Sequence, residues 1–202
     1  MSPLFPTSTY VPVIIGFFGL AVGYIILGGQ ALFKFPASSP SVNKTLAIWA
    51  LGTAGFMQFI TGVYLMVGLT WFHVFAGAPL YMAALAFTAY GVHWMILGWQ
   101  MYIPSSDETG GWMTLVFFFL SLLGILVFWS PDLPVAIVFI GLTLIYLFGF
   151  LTGFRLMKGE RIVAFFRFVT GIWLIYLVYA IVLNTTNSTH LVAVTQTMHL
   201  FA

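Results

Sequence analysis

Six long apolar runs fill this chain, at about 11–33, 45–68, 77–102, 111–129, 134–156 and 161–183. All six basic residues, Lys34, Lys44, Arg155, Lys158, Arg161 and Arg167, gather at one set of alternating ends of those runs. With 62% hydrophobic and 5% charged residues, such a chain cannot cover a water-facing surface. A lipid bilayer is therefore the solvent that shapes it. Backbone groups cannot stay unpaired in hydrocarbon, and the alternation of a barrel strand is missing, so the runs are expected to be helices. The fold class is all-α, a polytopic bundle of six transmembrane helices.

Six spans at roughly 20 residues each use about 120 residues, and the chain has 202. Residues 1–202 thus read as a single integral membrane domain with short loops and a tail at 184–202. No room is left for a soluble catalytic or nucleic-acid-binding domain. The first run has no basic region ahead of it and is longer than a secretory h-region, so it reads as a retained span. There is no Cys, which removes disulfides, thiolate metal sites and a Cys nucleophile.

Net charge is +2, and its placement carries topology. Lys34 and Lys44 flank the first linker, and Arg155, Lys158, Arg161 and Arg167 surround the fifth. The second and fourth linkers and both tails have no Lys or Arg. The positive-inside rule then puts the odd linkers in the cytoplasm and both termini outside. Gly19 with Gly23, and Gly149 with Gly153, have the spacing of close helix contacts. Tyr10, Trp71, Trp99, Tyr102, Trp112 and Trp129 fall near span ends, as in an interfacial aromatic belt.

An ionisable residue deep in a span is costly without a pathway or a partner, and His93 is the one well inside. It reads either as a pore-lining or proton-accepting group, or as a neutral core residue bonded to a backbone carbonyl. Arg155 and Arg167, one turn or more inside their helix ends near the cytoplasmic face, read as snorkelling anchors, with anion recruitment as the alternative. Asp107, Glu108, Asp132 and Glu160 all lie in linkers, so no acid pair, triad or metal-ligand cluster forms. The chain is expected to be no enzyme and to hold no cofactor or metal. What remains is uncharged: Gln58, Thr61, Thr88, Tyr90, Thr114, Thr143, Thr152 and Thr170. Beside many aromatic rings, such groups suit a narrow passage for a small neutral solute.

Several stretches resemble the AmiS/UreI family of amide and urea channels: Asn43 to Gly52 opening the second span, Leu85 to Val92 in the third, and Gly111 to Val116 opening the fourth. Phe87-Thr-Ala-Tyr-Gly-Val-His-Trp94 also resembles the Phe-Thr-Ser-Tyr-Gly-X-Phe-Trp stretch of the acetate and succinate permease family. Gly55 to Gly62 and Lys158 to Val163 resemble that family's second helix and Lys-Gly linker, whereas its Asn-Pro-Ala-Pro-Leu-Gly-Leu start is absent and the helix order fits the amide and urea family better, which puts the permeases second. Either resemblance implies a six-helix protomer with its own solute path, assembled as a homo-hexamer in a bacterial or archaeal inner membrane. Carried over by position, Phe87, Thr88, Val92, Trp112, Thr170 and Trp173 lie on that path. With the polar residues above, the expected lining is Gln58, Phe87, Thr88, Tyr90, Val92, His93, Trp112, Thr170 and Trp173. Met95 and Thr170 stand where the amide family has Asn and, in some members, an acid, which removes strong orienters of an amide.

The function expected is a channel or facilitator for a small neutral or weakly acidic solute of amide, urea or acetate type. The rival is a non-catalytic accessory subunit of a larger membrane complex. Expected partners are the solute, the lipid bilayer and further copies of the chain, with no nucleic acid.

Overall fold

The structure is a computed structural model that describes residues 13–103 and 108–187, with side chains for 13–103 and 109–183. Tyr10, Asp107 and the tail beyond these limits, with His190 and His199, lie outside the described residues. Every regular element in the described part is helical: α1 (Val13–Phe33), α2 (Pro40–Trp49), a π-helical segment (Ala50–Gly55), α3 (Phe56–Thr70), α4 (Ala78–Tyr102), α5 (Glu108–Phe128), α6 (Leu133–Gly153) and α7 (Glu160–Asn187). With α2, the π segment and α3 counted as one run, six helices are long and apolar enough to cross a membrane.

Local chemistry explains where these spans start and stop. The second span begins at Pro40, earlier than hydropathy alone places it, because Ser39 caps it and Pro fits the first turn. Its side-chain oxygen accepts the Val42 N–H at 3.3 Å. At α6 the cap is Asp132, whose Oδ1 accepts the Val135 N–H at 3.1 Å. That helix ends at Gly153 rather than 156. The Leu156 N–H reaches back to the Leu151 carbonyl at 2.8 Å and the Arg155 N–H to Thr152 at 2.9 Å. Arg155, at φ 56°, takes the left-handed position this cap requires. Arg155 therefore sits in the turn after the helix, not one turn inside it.

Packing arranges the spans in a ring. α1 lies along α7 and also meets the second span, α3 packs on α4, α5 on α6, and α6 on α7. α4 and α5 touch only lightly, so side chains close the ring there. Both glycine pairs serve contacts within the chain. A Cβ at Gly19 would meet the Thr53 carbonyl oxygen at 2.6 Å, and one at Gly153 would meet Gly111 at 2.8 Å. Trp99, Tyr102 and Trp112 are exposed near the basic end, and Trp71 and Trp129 near the other. These two levels match interfacial belts.

Candidate solute path

Among the described residues, two cavities lie in line between the spans, separated by a layer of rings. The larger, of about 370 Å³, opens toward the basic end and is lined by residues including His93, Gln100, Thr114, Tyr146, Thr152 and Arg167. The smaller, of about 30 Å³, lies nearer the opposite end among Phe17, Gln58, Phe87, Tyr90, Phe128 and Phe139. It has room for about one water-sized molecule.

The layer between them is built by α4, α5 and α6. Tyr90 stacks on Tyr146 at 5.7 Å and meets Phe117 at 5.1 Å, and Phe117 stacks on Tyr146 at 5.4 Å. His93 adds a fourth ring, 4.5 Å from Phe117 and 5.6 Å from Tyr146. A hydroxyl pair fixes the register across the lightly packed seam: Ser121 Oγ donates to the Phe117 carbonyl at 2.7 Å. With that proton committed, the Tyr90 hydroxyl is the donor in its 2.8 Å bond to Ser121 Oγ.

Below the layer, Gln58 supplies the polar group. Its Nε2 donates to the Ala54 carbonyl at 2.7 Å, while Oε1 is buried without a partner. Phe17 and Phe87 meet at 5.3 Å, and Phe128 stacks on Phe139 at 5.5 Å, so rings frame the amide. Glycines make room for these rings. A Cβ at Gly16 would run into the Phe87 ring, and one at Gly124 into Phe139.

Of the residues expected from sequence, the structure brings Gln58, Phe87, Tyr90 and His93 to this column. His93 does not take the carbonyl bond of a packed core residue, since Nδ1 is buried with no partner. The others are elsewhere. Val92 is 40% exposed on the outer side of α4, and Trp112 is 64% exposed, with Phe154 edge-on to it at 4.9 Å. Thr88 donates to the Ala84 carbonyl at 2.8 Å and lines an outward groove with Trp71 and Leu85. Thr170 is buried against Gly141. Trp173 Nε1 ties α7 to the Pro134 carbonyl at 3.1 Å. Sequence reasoning named Thr152 among the polar groups suited to a passage, but it missed Tyr146 and Ser121 and did not place Arg167 on the path. Of the last three, only Arg167 carried a signal, as a cation one turn or more inside a span.

No family model matches the chain, and no curated protein matches it. One of the solved structures that match covers 88% of this chain and 94% of its own, with a TM-score of 0.67 and 15% sequence identity. In fold, the chain is similar to the bacterial acetate channel SatP. Of the two resemblances in the sequence, this likeness supports the acetate permease one, although the signature start of that family is absent here. At 15% identity it is the fold that is shared.

Proposed function

We propose that the chain is a channel or facilitator for a small neutral or weakly acidic solute, with acetate ahead of urea and amides. The observation that carries this reading is the column itself: a polar cavity and a ring-framed amide, in line through the centre of a six-span bundle. The likeness in fold to an acetate channel favours acetate among the candidates. Rings exclude hydrated ions, and the amide and hydroxyl groups replace part of the water shell of a small solute. Passage requires the Tyr90, Phe117 and Tyr146 rings to part, because they close the column at mid-depth. The basic end faces the cytoplasm, both termini face out, and the protomers form a hexameric ring.

The closed ring layer also suits a non-transporting accessory subunit, the second reading. Radiolabelled acetate uptake and swelling of proteoliposomes in acetate, acetamide and urea separate the two. Solute-dependent rates above empty vesicles are expected, fastest for acetate; rates equal to empty vesicles for all three would leave the accessory role. Native mass spectrometry of the detergent-solubilised protein is expected to give six copies, and a monomer would remove the ring.

A further inference from the structure

Arg167 stands seven residues past Glu160, the first residue of α7. At 1.5 Å per residue this is roughly 10 Å along the axis, well inside the span. From the sequence, Arg167 reads as a snorkelling anchor or as a group that recruits anions, and its side chain lines the 370 Å³ cavity. α1 permits this through Gly28, where a Cβ would meet Arg167 Cβ at 2.9 Å. The Nε atom is buried with no hydrogen-bond partner. Glu160 borders the same cavity but is exposed at its mouth, two turns along the helix from Arg167.

Two more buried groups lacking partners line this cavity, Thr152 Oγ1 and His93 Nδ1. Buried polar groups are almost always hydrogen-bonded, so three around one cavity point to a ligand that satisfies them together. Their chemistry is donor-rich: a guanidinium N–H, a hydroxyl, and an imidazole able to donate. Carboxylate oxygens are the matching acceptors, and charge-assisted bonds to Arg are the strong kind. Lys34, Lys158 and Arg161 sit at the same end, where a positive field concentrates anions. A neutral amide at this place would bring the guanidinium no counter-charge.

We propose that this cavity is a binding site for a small monocarboxylate in its anionic form, held by Arg167 with Thr152 and His93 as further contacts. The single cation in the lining selects one carboxylate rather than two. The site deepens the channel reading, on which it rests for its place in transport, because it fixes the charge state of the solute at the basic end. Binding, however, is measurable without flux.

Purified protein in detergent is titrated with sodium acetate and, separately, acetamide, with ionic strength held by sodium chloride, and intrinsic Trp and Tyr fluorescence is followed. A saturable acetate response is expected. Arg167→Gln should raise the half-saturating concentration about tenfold through loss of a charge-assisted contact, with Arg167→Lys in between. Acetamide should show no dependence on Arg167. If Arg167→Gln fails to fold, Thr152→Val replaces it, with a rise of about threefold for one lost hydroxyl bond. An acetate curve in the folded variant equal to that of the unmodified protein, or no response in the latter, overturns the site. Arg167-dependent binding with no vesicle uptake upholds the site and removes transport. Uptake without such binding does the reverse.

Discussion

Gln58 is a fully buried amide with its nitrogen committed to Ala54 and its oxygen aimed at no donor. A buried acceptor left unsatisfied costs about 1–3 kcal/mol, so a purely structural role would favour Leu here. Gln58→Leu is therefore expected to leave the melting temperature in detergent unchanged or raised, while acetate uptake falls severalfold. Unchanged uptake in this variant would take the smaller cavity off the path. Thr88 gives the contrast: its hydroxyl is spent on its own helix, packs against Gly62 of α3 and lines neither cavity of the column, so Thr88→Val is expected to leave uptake within about twofold. At this scale the sequence was legible where a residue type is rare for its depth. A glutamine and a histidine inside spans announce themselves, and both reach the column. Val92 and Trp112 do not, because apolar and aromatic residues suit lipid, protein core and pathway equally, and only the rotation of each helix decides among them. Tyr146 was invisible for the same reason.

Helix rotation is in turn set by where backbones approach. Gly91 of α4 faces α3 so closely that a Cβ would meet Phe59 Cα at 2.7 Å. The neighbour is backbone and cannot swing aside, so Gly91→Ala is expected to destabilise by about 1–3 kcal/mol, read as a lower melting temperature. At Gly52, by contrast, a Cβ would find nothing within 4 Å. Gly52→Ala should be neutral or gain up to about 1 kcal/mol from helix propensity; equal losses at both glycines would show that helix contact is not what Gly91 serves. Asp132 acts at the same scale. Asp132→Ala should cost about 1 kcal/mol as a lost cap, and Asp132→Asn much less. All six spans were legible from hydropathy, since each must be apolar for a bilayer's width. Their ends were less so, because capping by Ser39 and the left-handed turn at Arg155 depend on single hydrogen bonds. The π segment left no trace in the apolar pattern. There the Phe56 N–H reaches the Leu51 carbonyl, one residue further back than in an α-helix.

For the molecule as a whole, charge placement carries the orientation and the fold carries the column's direction. Consecutive antiparallel spans put the linkers at 34–39 and 154–159 at one end and those at 71–77 and 129–132 at the other. The basic residues accordingly share an end with the larger cavity, Lys44 lying over the Tyr102 ring at 5.6 Å. If that end is cytoplasmic, the polar vestibule opens inward and the ring-framed cavity lies toward the outside, so a solute would meet the aromatic layer before the vestibule on the way in. The absence of native Cys makes this testable with single labels. Ser38 and Ser130 are exposed in linkers at opposite ends. In intact cells, a membrane-impermeant maleimide is expected to label Ser130→Cys but to reach Ser38→Cys only after the membrane is opened. The reverse pattern would invert the molecule and place the vestibule outside. A positively charged mouth would then gather carboxylates from the medium rather than from the cell, and the same residues would describe uptake by capture instead of release.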